Sequence, residues 1–380
     1  MTKKSALGQY YTPSSIAAFI VDNALKIIKK KPRRTLELAA GEGHLLMALE
    51  KVAADCKMYA IDIDSTNSSS LKLQHKNYVT FNADATKPLD FLKPHSFDFA
   101  IGNPPFLNNV IVDHYIQHLL SDILNMHVKL GSRIRAEYVF TCQYLYYLDT
   151  KGVLAIIMPE SVISGVRSAT FRESLIKKYK IEQVIELEES SFSTTEAKTH
   201  VIFIRNEKPD NAKIKLSSLK NAKMPIFVNS SSLIERMDYT FHSLTIKQNK
   251  KRKLTNHALI ERGKLTHSSL KITDNEFIHS TTFNHDFNNN TSAVDDSLVR
   301  NGDLIMCRVG SRVAGKIREY KGSPVRFSDC IYKIRFSDDS TKREFLSFIN
   351  SENGKKIITS LLRGVCSKYI TKKDLEMIHF

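Results

Sequence analysis

Between Thr35 and Ile204 the chain repeats one alternation: a short, nearly continuous apolar run, then a longer stretch with apolar residues at helical spacing. The runs TLEL, MYAIDI, YVTFNA, FDFAIG, GVLAIIMP, IEQVIEL and THVIFI read as strands, with segments such as LLMALEKVA and FRESLIKKY as helices between them. Strands apolar on both faces and separated by helices bury themselves in a layered α/β fold with a mainly parallel sheet. The last two runs, Ile181 to Leu187 and His200 to Ile204, are joined by a polar connection too short for a helical crossover, which predicts an antiparallel pair at a sheet edge. The polar, proline-bearing segment Asn206 to Ala212 is the expected domain boundary, dividing the chain into 1–207 and 208–380. Beyond it, apolar segments are short and broken by Ser, Asn, Thr and Gly, with helical stretches near Arg343 to Asn350 and Gly354 to Leu362. A smaller α+β domain is expected there, with Lys247 to Lys253 as an exposed basic loop.

The net charge of +16 is unevenly divided. Residues 1–207 hold 25 Lys and Arg against 22 Asp and Glu, whereas residues 208–380 hold 31 against 18. A basic half of this kind suits a polyanion, whose condensed counterions are released by each nearby cation, or a solvated surface that aids solubility. No run of about 18 apolar residues and no signal-like leader occurs, so neither a membrane span nor secretion is expected. The 5 cysteines are scattered and never form a C-x-x-C pair, which predicts neither a disulfide framework nor a zinc site and suits a reducing cytoplasm.

The first chemically informative motif is TLELAAGEGHLLMALE, a strand that enters a turn at Gly41 and Gly43 and leaves as a helix. In open α/β sheets such a turn, at the carboxyl end of a strand, receives nucleotide-like ligands. The third glycine of G-x-G-x-x-G is missing and no Lys-Ser/Thr follows, so neither a pyrophosphate cradle nor a P-loop is formed. Asp62 ends the next strand, where a carboxylate can bind ribose hydroxyls. Glu37 is placed either to pair with a ligand cation or to order the loop. Taken alone, the motif equally describes a tight turn with helix-capping acids.

The second motif is the apolar strand Phe97 to Gly102 running directly into Asn103-Pro104-Pro105-Phe106. Two consecutive prolines fix φ and remove two backbone donors, so the Pro104 carbonyl and the Asn103 side chain can point into one pocket. Two acceptors converging on a planar NH2 group draw its hydrogens and localise the nitrogen lone pair, making a poor nucleophile competent. Phe106 offers a flat face for the ring that bears the amino group. The bland alternative is a rigid strand terminator.

With these motifs in this order, residues 5–205 resemble the gamma-class adenine-N6 DNA methyltransferases. The resemblance implies a Rossmann-like domain, S-adenosylmethionine as cofactor, and double-stranded DNA as substrate. Gly8-Gln9-Tyr10-Tyr11-Thr12-Pro13 is similar to the family's element ahead of the glycine turn, where the threonine region meets the methionine part of the cofactor. By the same resemblance Glu37, Ala39, Gly41, Gly43, Asp62, Ile63, Asp84, Ala85 and Asn103 join Thr12 at the cofactor, with Asp62 on the ribose and Asp84 on the adenine amino group. Ala85 departs from members that carry a bulky apolar residue there. Asn103, Pro104, Pro105 and Phe106 become the catalytic tetrapeptide, Phe106 stacks on an adenine flipped from the duplex, and Phe192 covers its other face.

The second half resembles target-recognition domains of type I restriction specificity subunits, on Asn301 to Ile305, Arg308 to Ser311, Gly315-Lys316 and the closing Lys368 to Leu375. That likeness makes Arg308, Ser311, Arg312 and Lys316 candidates for touching DNA, although the same residues could flank a strand turn. The expected protein is a cytoplasmic, prokaryotic, monomeric enzyme that needs no metal, with any cognate restriction endonuclease on a separate chain. RNA adenine and protein glutamine methyltransferases share the Asn-Pro-Pro-aromatic site, and a sequence-specific DNA-binding module with an inactive catalytic half is the non-enzymatic alternative.

Overall fold

The structure, a computed structural model, describes residues 12–188, 198–221, 223–247, 252–274, 276–288, 297–364 and 367–380. It divides into two compact units, Met1–Tyr239 and Thr240–Phe380.

In the first unit, helix α1 (Ser14–Ile28) precedes β1 (Arg34–Leu38), α2 (His44–Glu50), β2 (Lys57–Asp62), α3 (Ser65–Gln74), β3 (Tyr78–Asn82) and β4 (Phe97–Gly102). A small ribbon, β5 (Val110–Ile111) with β6 (Arg133–Ile134), encloses α4 (His114–Leu124). There follow α5 (Ala136–Tyr147), β7 (Leu148–Pro159), α6 (Ala169–Lys178), β8 (Lys180–Glu186), β9 (Thr199–Arg205), β10 (Ile214–Ser218) and β11 (Ile226–Val228). One nine-stranded sheet results, in the order β11-β10-β8-β9-β7-β4-β1-β2-β3. β3, β2, β1, β4 and β7 run parallel, which brings the ends of β1, β2 and β4 to one rim. Two apolar layers cover the sheet: α1 and α2 pack over Phe99, Ile101 and Ala155, while α4, α5 and α6 pack over Leu36, Ala100 and Ile156. α5 is buried at 11 of its 12 positions, so apolar and polar side chains alike must find partners inside.

The expected sheet edge and the expected boundary are both corrected. β8 and β9 are antiparallel, but β9 lies between β7 and β8, inside the sheet. Beyond β8 comes β10, parallel to it with Leu216 opposite Val184, and then β11. The segment Asn206 to Ala212 is therefore no linker. It carries the chain past the start of β8, where the Lys180 N–H donates to the Glu207 carbonyl at 3.0 Å and the Lys180 ammonium pairs with Asp210 at 2.7 Å. The apolar side of β10 needs the sheet for burial, so the compact unit extends some way beyond residue 207.

The second unit is built on an antiparallel sheet ordered β12 (Ala258–Arg262), β17 (Ile331–Phe336), β14 (Leu304–Cys307), β15 (Ile317–Glu319). A short parallel pair, β13 (Phe277–Ile278) and β16 (Arg326–Phe327), lies apart from it. Helices α7 (Asp339–Asn350), α8 (Glu352–Leu361) and α9 (Lys372–Glu376) share a core with Leu304, Met306 and Ile334, near the two predicted helical stretches. Inside the unit Arg363 is fully buried, and its Nε donates to Asp374 at 2.9 Å. Among the described residues no helix is long and apolar enough to cross a membrane.

Candidate active site

At the rim where β1, β2 and β4 end, a pocket of about 460 Å³ is lined by Thr12, Glu37, Ala39, Gly41, Asp62, Ile63, Asp84, Ala85, Asn103 and Pro105, among others. All but one of the residues read as cofactor-binding thus meet in one cavity. The exception is Gly43, which stands behind the wall as the N-cap of α2; with φ 76°, a Cβ there would lie 2.5 Å from Leu71 Cδ2.

The turn after β1 is made from three left-handed residues, Ala39 (φ 57°), Gly41 (φ 56°) and Gly43. For alanine this conformation costs on the order of 1–2 kcal/mol, so surrounding contacts must hold it. They do: the Ala40 N–H donates to the Ile61 carbonyl at 3.0 Å, and the Gly41 N–H to Asp62 Oδ2 at 2.7 Å. Asp62 Oδ1 accepts from the Asp64 N–H at 2.8 Å. Asn67 Nδ2 donates to the same Oδ1 at 3.3 Å; a carboxylate has about four acceptor sites, so Asp62 can clamp the turn and still accept a ligand hydroxyl at Oδ2. The sequence showed only the second of those roles.

Asp84 is held by Thr86, whose N–H and hydroxyl donate to Oδ1 at 2.9 and 2.8 Å. The loop behind it hangs on the fully buried Gln143 of α5, whose amide donates to the Ala85 and Lys87 carbonyls at 3.0 and 2.8 Å. Apolar surface that small Ala85 does not supply is present on Ile63 and Ile111, 53% and 61% exposed on the pocket lining. Gln143 and its neighbour Tyr144 were missed by sequence reasoning. The only signal was a helical stretch, AEYVFTCQYLYY, too rich in Tyr, Gln and Thr to be an ordinary core helix.

Glu37 is buried, and its Oε2 has no hydrogen-bond partner among the described residues. Burial, reinforced by the charge of Asp62, holds its carboxyl well above the usual carboxylate range. An orphaned buried acid facing a cavity fits a ligand cation, which would favour its ionised form. Without a ligand it is a liability with a definite pH signature. Because the folded pKa is raised, the associated stability is complete below the unfolded pKa, about 4.3, and is lost as pH rises through the folded value. Glu37→Gln should therefore flatten the decline in stability of the ligand-free chain above about pH 4.3, measured by urea unfolding across pH. Equal slopes in the two proteins would refute this assignment.

Asn103 follows β4 directly and meets the residues that lead into α1. Its Nδ2 donates to Thr12 Oγ1 at 3.2 Å, and the buried Thr12 carbonyl accepts from His44 Nδ1 at 2.9 Å. Pro104 is buried, and no described residue donates a hydrogen bond to its carbonyl. The Pro105 carbonyl accepts from the Leu107 N–H at 3.0 Å, turning the chain so that half-buried Phe106 packs against the core layer that contains Ile101. The arrangement can present acceptors and an aromatic face to a planar amino-bearing ring beside a cavity fit for a cation, a diol and a second planar ring. Gly8 to Tyr11 and Phe192 lie outside the described residues. The flanks of the segment bearing Phe192 are tied by an ion pair, Lys198 to Glu186 at 2.8 Å.

In the second unit, the candidates Arg308, Ser311, Arg312 and Lys316 fall on the β14–β15 hairpin. Ser311, Arg312 and Lys316 are exposed. Arg308 is engaged internally, its Nε donating to the Asp329 carbonyl at 2.7 Å. The closing stretch also belongs to the unit's own architecture: Tyr369 bridges to Val309 and Arg363, and Thr371 caps α9 in a capping box with Asp374.

A mainly parallel sheet with a glycine turn after β1, an acid after β2 and Asn-Pro-Pro-Phe after β4 belongs to the open α/β folds that receive ligands at the carboxyl ends of their strands. The model of the N-6 DNA Methylase family matches residues 1–296, and the chain belongs to that family. It is similar to the type I restriction enzyme MpnII methylase subunit of Mycoplasma pneumoniae, 22% identical over 72% of this chain and 53% of that protein. It is also similar to the type II methyltransferase M.HincII of Haemophilus influenzae, 25% identical over 56% of this chain and 40% of the relative. The chain thus spans about half the length of the curated relatives it matches. Among solved structures, the type IIG restriction endonuclease BpuSI shares the fold with TM-score 0.55 and 12% identity, over 96% of this chain and 58% of that one.

Proposed function

We propose that the chain transfers a methyl group from S-adenosylmethionine to N6 of an adenine flipped out of double-stranded DNA, at a specific sequence and as part of a restriction-modification system. The observation that carries the reading is the meeting of Asn103, at the end of β4, with Thr12, Glu37 and Asp62 in one cavity. When bound, the cofactor supplies a methyl group on a sulfonium leaving group. The chain's residues do the rest by positioning: Glu37 takes the cofactor's ammonium, Asp62 its ribose, and Asp84 its adenine amino group. Asn103 Oδ1 and the Pro104 carbonyl accept the two hydrogens of the target amino group, while Phe106 and Phe192 stack on its ring. The motif order, Thr12 ahead of the turn and the recognition unit last, is that of the gamma class. The second unit, with exposed Arg312 and Lys316 on its hairpin, meets the duplex. The protein acts as a monomer, and a cognate nuclease is a separate chain.

Tritiated methyl transfer into mixed-sequence duplex DNA tests the proposal, with RNA and a glutamine-containing protein in parallel. Label recovered as N6-methyladenine in DNA supports it. Label confined to RNA or protein transfers the same site to another substrate, and cofactor binding without label anywhere leaves an inactive DNA-binding module.

A further inference from the structure

The far end of the first unit's sheet carries a basic groove remote from the pocket that Thr12 lines. Thr12, at the head of α1, lines the catalytic pocket; the other end of this 15-residue helix lies about 22 Å away by its rise per residue. There a groove of about 450 Å³ is lined by Lys26, Lys29, Lys180, Glu182, Arg205 and Lys215, at the amino ends of β8 and β10. Two of the cations are committed to the fold. Lys180 pairs with Asp210 at 2.7 Å. Arg205 donates to Glu182 at 2.5 Å and to the Ile27 carbonyl at 3.0 Å, closing the end of α1 onto β9. Lys26, Lys29 and Lys215 have no ion-pair partner among the described residues, and neither have Lys30, Lys31 and Lys213 beside them. All six but the half-buried Lys215 are exposed.

We infer that this groove binds the phosphate backbone of a second DNA segment. Lysines are compact point charges on flexible stems, suited to a repeating row of phosphates; a single anion would call for converging donors or an arginine fork. Among the described residues Ile27 is the one apolar residue of the lining, which offers few of the buried apolar anchors on which protein interfaces depend. A duplex is stiff over about 150 bp, so a short duplex at the catalytic rim cannot bend back to the opposite end of the sheet. The occupant is therefore a separate or distant segment. That the segment is a second one rests on the proposed reading, which places the substrate duplex at the catalytic rim; the groove's affinity for phosphates does not.

The test uses the full chain, labelled 20-bp duplexes of random sequence and sedimentation at 50 mM salt to count duplexes per chain. Lys26→Gln/Lys29→Gln/Lys215→Gln should bind one duplex fewer than wild type, and the matching Lys→Arg triple should keep it. These three lysines neutralise three phosphates, each with a salt slope of about 0.9, so in wild type the extra duplex should weaken roughly 40-fold between 50 and 200 mM salt. Cofactor-dependent methyl transfer, measured on the same proteins, should be unchanged; its absence from wild type would remove the functional reading, while the difference in stoichiometry between wild type and the Gln triple would still decide whether the groove binds DNA. Equal stoichiometry in wild type and the Gln triple overturns the inference. So does loss of transfer together with the duplex, which would place these lysines in the substrate path. Displacement of the extra duplex by polyglutamate at equal charge concentration overturns the choice of DNA in favour of an acidic protein.

Discussion

Asn103→Ala is expected to lower the rate of methyl transfer by about 10²–10³-fold, the loss typical of removing one preorganised hydrogen-bonding group from a reacting centre. Cofactor affinity should change by only a few-fold, because Glu37 and Asp62 remain in the pocket lining. The split follows from the geometry. The Asn103 amide nitrogen donates to Thr12 Oγ1 at 3.2 Å, which turns the carbonyl oxygen away from Thr12, as the proposed contact with a substrate amino group requires. Asn103→Asp separates positioning from charge: it keeps an acceptor but loses the donor to Thr12, and it should fall between wild type and the alanine variant. Single-turnover assays at saturating cofactor, alongside cofactor titration, decide the matter. A parallel loss of rate and cofactor affinity would show Asn103 to be a cofactor residue first.

Much of this site could be read from the sequence because its chemistry is local. A carboxylate after β2, a glycine turn after β1 and two prolines after β4 each occupy a few adjacent residues, and the α/β alternation brings strand ends together without further instruction. Seven strands of the sheet, β1 to β4 and β7 to β9, were equally legible, since apolar runs bounded by polar turns leave little choice; β10 and β11 were not. What failed was the register of the sheet's far side. Asn206 to Ala212 has the composition of a linker, and only the pairing of Leu216 with Val184 reveals that it merely steps past the start of β8. The left-handed turn at Ala39 was also hidden, because alanine carries no signal for positive φ; it is imposed by Asp62 reaching back to the Gly41 N–H. Long-range side-chain hydrogen bonds of this kind leave no periodic trace, and the same holds for α5, whose polar residues brace the site from beneath.

Tyr144 is the strongest of those braces, and Tyr144→Phe should destabilise the first unit by about 2–4 kcal/mol. Its hydroxyl lies in a fully buried position between the ends of β1 and β4. It accepts from the Leu38 N–H at 2.7 Å and donates to the Leu38 carbonyl at 2.9 Å, with the Ile101 carbonyl at 3.2 Å. Phenylalanine has nearly the same shape, so little packing is lost. The cost arises because buried backbone groups of Leu38 are left without partners, each at about 1–3 kcal/mol. Burial pushes the phenol well above its ordinary pKa, so the bridge stays neutral throughout the accessible pH range. Gly102 makes the complementary case: a Cβ there would stand 2.0 Å from the Tyr144 hydroxyl, so Gly102→Ala must displace the ring and break the same bridge. Both variants remove a tie between the strand that leads to Ala39 and the strand that leads to Asn103. Urea unfolding should show similar losses for the two single variants, and a double variant that loses little more than either one, since a shared contact cannot be removed twice. Full additivity would mean that the two residues act separately, and the hydroxyl would then not be what holds β1 and β4 in register.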